Sequence, residues 1–139
     1  MSYEEFLAAL CIWREARGSS MAILTAIWWV IRNRASDAQK RWPSSIPGVI
    51  QQHAQFSSMT ILGDPNTVKA PIPPAPGQSP SPDWLAWLNC QIVVATSLGS
   101  DPTGGATNYE SIEDPEQRPA WCDPSKITLT LGPFRFYKL

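Results

Sequence analysis

Between positions 64 and 82 the chain carries Pro65, Pro71, Pro73, Pro74, Pro76, Pro80 and Pro82, half of its 14 prolines. Each proline fixes its own φ, lacks an amide donor and pushes the preceding residue toward extended geometry, so neither a helix nor a paired strand can persist there. Regular structure must fall into two blocks on either side. The stretch reads as a semi-extended surface loop, with a docking motif for proline-binding domains as the alternative. Helical blocks flank it on both sides, which argues against a domain linker. With 139 residues and 43% hydrophobic content, the chain suits one compact domain over 1–139.

The first block opens on Ser2 and Glu5, a capping box that starts a helix at once. Tyr3, Phe6, Leu7, Leu10 and Trp13 recur at helical spacing as an apolar stripe, and Ala8, Cys11 and Ile12 surround the side from which Glu15 emerges. Gly18 is placed to end this helix, with Ser19 or Ser20 free to cap the next. That second helix, over 21–34, carries Ile23, Leu24, Ile27, Trp28, Val30 and Ile31 on nearly every side and is expected at the centre of the core. Beyond Trp42-Pro43, a turn is expected at Pro47-Gly48 and a short helix at 49–53. After the proline-rich stretch, Ser81-Pro82-Asp83 is a strong helix start. The expected inner face of that helix is Trp84, Leu85, Leu88, Ile92 and Ala95, and Leu98-Gly99 ends it.

Glu15, in Trp13-Arg14-Glu15-Ala16-Arg17-Gly18, sits where a greasy helix must stop. Partial desolvation and the negative end of the helix dipole both favour its protonated form, the requirement for a general acid. The structural alternative pairs it with Arg14, Arg17 or Arg32, which would lower its pKa instead. Local pattern does not decide between the two.

Other chemistries are restricted. A net charge of −1 argues against a nucleic-acid footprint. Residues 21–31 are apolar but too short to span a bilayer, and Arg32, Asn33 and Arg34 follow directly, so no stable membrane insertion is expected. The amino terminus lacks the pattern of a secretory signal, so synthesis in the cytoplasm is expected. Cys11, Cys90 and Cys122 are odd in number and far apart, which favours free thiols over a disulfide framework. His53 is the single histidine, so a zinc site is not expected and neither metal nor cofactor is assigned. A cysteine protease would require His53 to meet a cysteine in space.

Three polar segments are candidates for holding a neutral ligand. Gln55 and Ser57 flank Phe56 and offer an amide and a hydroxyl, although a loop with one buried aromatic is the simpler account. Asp101-Pro102-Thr103-Gly104-Gly105-Ala106-Thr107-Asn108-Tyr109 begins as a tight turn and presents hydroxyls, an amide and a phenol; a turn into a short strand is its structural alternative. Trp121 is either a stacking platform for a pyranose ring or a cover for the core. Ile127, Leu129 and Leu131 alternate with threonines as a half-buried strand, and Gly132-Pro133 turns it toward Phe134, Phe136 and Tyr137 in a small C-terminal β-hairpin.

The order of these pieces resembles the SleB-type cell wall hydrolases over nearly the whole chain: Glu15-Ala16-Arg17-Gly18, the helix ending Arg32-Asn33-Arg34, Gln55-Phe56-Ser57, the segment from Asp101 to Tyr109, and Leu131-Gly132 to Phe136-Tyr137. The resemblance implies a mainly α (α+β), lysozyme-like fold that cuts peptidoglycan glycan strands between N-acetylmuramic acid and N-acetylglucosamine. Glu15 would be the catalytic acid and base, with lytic transglycosylase chemistry in at least some members. Gln55, Ser57, Asn108, Tyr109 and Trp121 are the expected glycan-binding residues. A separate nucleophilic carboxylate is not required if the substrate's own acetamido group supports the cation; Asp101 and Glu110 are the nearest candidates for a supporting acid.

This chain departs from the family pattern at Ser19, where another acid is common, and at Phe134, where a histidine is frequent; any positioning role of that histidine is lost or transferred here. The proline-rich stretch is also unusual. Small size and the expected lack of an export signal suggest a monomeric phage-type lysin that reaches the wall after release, with truncation of a longer exported enzyme as the rival account. A hydrolytic muramidase, or an inactive glycan-binding or virion structural protein on the same fold, are the alternatives.

Overall fold

A computed structural model describes residues 1–52, 55–96, 99–113 and 118–139. Five helices come first: α1 (Tyr3–Ala16), α2 (Met21–Ala35), α3 (Ile46–Gln51), α4 (Ser57–Thr60) and α5 (Pro82–Thr96). Three strands follow, β1 (Asn108–Ser111), β2 (Ile127–Leu131) and β3 (Phe134–Tyr137), with a 3-10 turn at Pro124–Lys126 before β2. The architecture is mainly helical α+β, as expected.

The capping signals act as written. Ser2 and Glu5 close a reciprocal capping box on α1, and Ser20 caps α2 through the Ile23 amide. Gly18 takes φ +88, a left-handed geometry that side chains resist, immediately after α1. Ser81 Oγ accepts from the Trp84 amide at the start of α5. One expectation fails in α3, which begins at Ile46: Ser45 caps it through the Gly48 amide, and Pro47 occupies its first turn, where the missing N–H costs nothing. Pro47-Gly48 therefore starts a helix where a turn was expected. The expected extension to His53 and the helix end at Leu98 fall outside the described residues.

Two inner faces differ from those expected. In α1 the buried residues are Leu7, Ala8, Ala9, Cys11, Ile12, Trp13 and Ala16, whereas Tyr3 and Phe6 are exposed. In α5 they are Ala86, Trp87, Cys90, Val93 and Val94, whereas Leu85, Leu88 and Ile92 are exposed. Both helices are apolar on more than one side, so periodicity cannot choose the face, and small residues decide it. Alanine and cysteine turned inward let the helix backbones approach closely, and Trp13 Nε1 crosses to donate to the Asp83 carbonyl at 2.9 Å. As expected, α2 is central, with Ile27, Val30 and Ile31 fully buried.

The hairpin of β2 and β3 acquires a third strand. The sheet order is β1-β3-β2, antiparallel throughout, with Tyr109 opposite Phe136. β1 is set by the turn before it. Asp101 accepts from the Thr103 amide and hydroxyl, the Gly105 amide and Asn33 Nδ2, and Asn33 also donates to the Ala106 carbonyl at 2.8 Å. The end of α2 thereby fixes where β1 begins. Among the described residues, no helix is long and apolar enough to cross a membrane.

Candidate active site

The penultimate residue of α1 places Glu15 half-buried at the junction of the helices and the sheet. It lines a cleft of about 320 Å³ together with Arg34, Gln55, Phe56, Asn108, Tyr109, Pro119 and Trp121. Four of the five residues expected to hold glycan, Gln55, Asn108, Tyr109 and Trp121, thus meet Glu15 in one cleft. Ser57 does not. Its hydroxyl donates to Asp64 Oδ2 at 2.7 Å, and the next residue, Ser58, is turned inward.

The environment of Glu15 favours the protonated acid. Burial is the largest influence and pushes its pKa up; Ser58 and Tyr109 act against it, Asp64 adds to it and Arg34 opposes it. The Tyr109 hydroxyl donates to Glu15 Oε1 at 3.3 Å. Ser58 Oγ, fully buried, makes no hydrogen bond of regular geometry among the described residues, yet lies near enough to the carboxyl to favour its ionised form. Among the described residues no ion pair includes Glu15. Arg14, one of its expected partners, donates instead to the carbonyls of Lys69 and Ser58. Arg17 donates to Asn66 Oδ1 at 2.9 Å and lies 3.7 Å from Asp83, while Arg32 lies over the Trp29 ring. The competing account of Glu15 as a salt-bridged helix-end residue therefore has no support in the geometry.

Tyr109 is positioned by the sheet, with its ring packed on Phe134 and Phe136 at centroid distances of 6.0 and 5.8 Å. Trp121 reaches the cleft from the loop before β2 and stands edge-on to Tyr137 at 5.3 Å. That loop is tied down by Glu110, which accepts from Arg118, from the Cys122 thiol and from Tyr137 Oη. Arg118 first, then Cys122 and Tyr137, hold the Glu110 pKa down to about 2 against its burial. Glu110 is therefore a tether, and Asp101 is consumed by the turn before β1. Neither of these two expected supporting acids lines the cleft.

Arg34 is a site residue that sequence reading missed, because a cation in the last turn of a helix is ordinarily an end-stabilising group. The signal the sequence offered was the run Arg32-Asn33-Arg34 closing an otherwise apolar helix. Among the described residues, no three His, Cys, Asp or Glu side chains gather as metal ligands. Cys11 and Cys90 are buried thiols with raised pKa values, and His53 lies outside the described residues, so a Cys–His pair has no geometry to report.

Residues 19–137 match the family model described as Cell Wall Hydrolase. No curated protein matches the chain. Among solved structures, the chain is similar to the catalytic domain of the germination-specific lytic transglycosylase SleB from Bacillus anthracis, with a TM-score of 0.70 and 22% identity over 99% of this chain and 97% of that one. It is also similar to the catalytic domain of the Bacillus cereus SleB protein, with a TM-score of 0.60 and 23% identity over 97% of this chain and 89% of that one. Likeness at these identities establishes the fold. The family match begins just after Gly18, so the case for Glu15 rests on the cleft itself.

Proposed function

Because the chain belongs to the cell wall hydrolase family, we propose that it is a peptidoglycan glycosidase that cleaves between N-acetylmuramic acid and N-acetylglucosamine, with Glu15 as general acid and base. The observation that carries this reading is a desolvated carboxyl that joins no salt bridge among the described residues, on a polar cleft. Glu15 donates its proton to the glycosidic oxygen; the C1–O electron pair leaves with that oxygen as oxocarbenium character grows on the muramyl ring. The Glu15 carboxylate then takes the proton of the muramyl primary hydroxyl, whose oxygen closes onto C1 and leaves an anhydro sugar.

Lytic transglycosylation is favoured over hydrolysis because Glu15 is the one carboxylate lining the cleft among the described residues, and a single acid-base group suffices for it. Gln55, Asn108 and Tyr109 would hold the glycan through their polar groups, and Trp121 through a ring face. Mass spectrometry of digested sacculi tests the chemistry. Anhydro-muropeptides are expected; reducing muramic ends would make the enzyme a muramidase, and released peptides without glycan scission would overturn the reading. Binding without cleavage by wild type would identify a glycan-binding or virion structural protein. The phage-type lysin setting belongs to the same proposal, and its test is lysis of host cells only when a membrane lesion is supplied in trans.

A further inference from the structure

Arg34 is 6% exposed, and its charge has no counter-ion among the described residues. Nε donates to the Thr107 carbonyl at 2.6 Å, and the guanidinium carbon lies 5.4 Å from the Trp42 ring centroid and 5.3 Å from that of Phe56. Among the described residues, buried Nη1 finds no hydrogen-bond acceptor. A guanidinium removed from water normally acquires a carboxylate, because an uncompensated buried charge is strongly destabilising. The acid that shares its cleft is Glu15, and a protonated Glu15 supplies no negative charge.

We propose that Arg34 is the positioning residue that receives the negative charge of Glu15 when the acid gives up its proton. Before transfer the cleft holds a neutral acid and a cation; after transfer the carboxylate and the guanidinium attract each other across it. The proton leaves for the glycosidic oxygen and returns from the muramyl hydroxyl, so the pair exists for the life of the oxocarbenium-like species. This rests on the reading of Glu15 as the acid. Its strength lies in being built before substrate arrives: Thr107 and two aromatic rings hold the guanidinium, so little reorganisation is needed when the charge appears.

The other groups around Glu15 do not take this role. Cys11 on α1 and Tyr109 on β1 are kept neutral, burial raising both well above their ordinary values. Arg14, also on α1, directs Nε to the Lys69 carbonyl and Nη1 to the Ser58 carbonyl and the Met59 sulfur. Ser58 on α4 carries no charge. Asp64, in the loop after α4, is an anion held by Ser57 and the Asn66 amide, and it opposes ionisation of Glu15. The coupling of Arg34 to Glu15 is reciprocal: each favours the charged form of the other.

The test reads Glu15 directly, by carboxyl carbon NMR on glutamate-labelled protein, with the resonance assigned by its loss in Glu15→Gln. Arg34→Met keeps apolar contact with Trp42 and Phe56 and removes the charge, while Arg34→Lys keeps the charge. The Glu15 titration midpoint is expected to rise by about one pH unit in Arg34→Met and to stay near wild type in Arg34→Lys. On sacculi, the alkaline limb of kcat should move the same way, with kcat about tenfold lower and KM little changed. An unmoved midpoint, an equal shift in both variants, or a loss confined to KM would overturn the proposal, the last marking Arg34 as a substrate contact. Should Arg34→Met fail to fold, Arg34→Gln, which keeps a donor for Thr107, gives the same readout. The titration needs no glycan, so failure of wild type to cleave sacculi would sink the catalytic reading and leave the Arg34 result legible.

Discussion

Glu15 holds a desolvated carboxyl whose pKa is raised in the folded protein, and the sign of that shift links activity to stability. The working acid is the protonated form, so cleavage should fall as pH rises through a value above the ordinary carboxyl range. Above that value the native state carries a poorly solvated anion that the unfolded chain would hydrate freely, so this group works against folding at neutral pH. Glu15→Gln is therefore expected to abolish cleavage, by at least about a hundredfold, while raising the Tm measured at pH 7. A lowered Tm would mean that Glu15 is a structural partner. Tyr109→Phe removes a hydroxyl that favours the Glu15 anion and retains the ring that packs on Phe134 and Phe136. Its alkaline limb should shift upward, with kcat lowered by less than about tenfold, because the 3.3 Å bond is long. At this scale the position of Glu15 was legible, since one acid at the end of a greasy helix stands out and the cleft forms beside it. Ser57 stays off the cleft lining while Ser58 turns inward because successive side chains on a helical turn point about 100° apart, and a loop reading of Gln55-Phe56-Ser57 carries no such phase. Arg34 was illegible because its counter-ion, or the lack of one, is set by residues distant in the chain.

Among the elements, helix starts were legible because capping is local: Ser2 with Glu5, Ser20, and Ser81 each act on an amide three residues away. Helix faces were not, because α1 and α5 are apolar on several sides and the choice of face belongs to the pair. β1 lacks alternation of its own and exists because the edge of β3 offers partners to Asn108–Ser111. The loop carrying Pro119 and Trp121 is likewise a tertiary feature, held to β1 by Glu110 through Arg118 and Cys122. Glu110→Gln should loosen this wall without touching Glu15. Since Arg118 is about half exposed, the charged bond is largely screened, and KM should rise only severalfold with kcat near wild type. An equal fall in kcat would instead place Glu110 in the chemistry. Its pKa, depressed from 4.5 to about 2, means that the tether is fully present above about pH 4.5 and is lost as pH falls toward 2. KM should accordingly stay flat from neutral pH down to that point.

Across the whole molecule, the two sequence blocks are joined by contacts that lie outside the proline-rich loop. Trp13 reaches Asp83, Asn33 reaches Asp101 and Ala106, Arg34 reaches Thr107, and Arg41 donates to the Leu139 carbonyl at the far end of the chain. Among the described residues, the loop is anchored at its start by Ser57 on Asp64, Arg17 on Asn66 and Arg14 on the Lys69 carbonyl, and at its end by Ser81 on α5. From 72 to 80 every residue is exposed, and among the described residues the Gln78 amide to the Ala75 carbonyl is the one backbone hydrogen bond on that stretch. Pro73, Pro74 and Pro76 therefore stabilise the fold by restricting the unfolded chain, with few native contacts to lose. Replacing all three by alanine should lower unfolding free energy by about 1–3 kcal/mol in urea titration, with the m-value unchanged. Cleavage at 25 °C should keep its wild-type rate, because the substitutions leave every cleft-lining side chain in place. If instead the rate falls while stability holds, the loop touches glycan, and its prolines serve the substrate in place of the denatured ensemble.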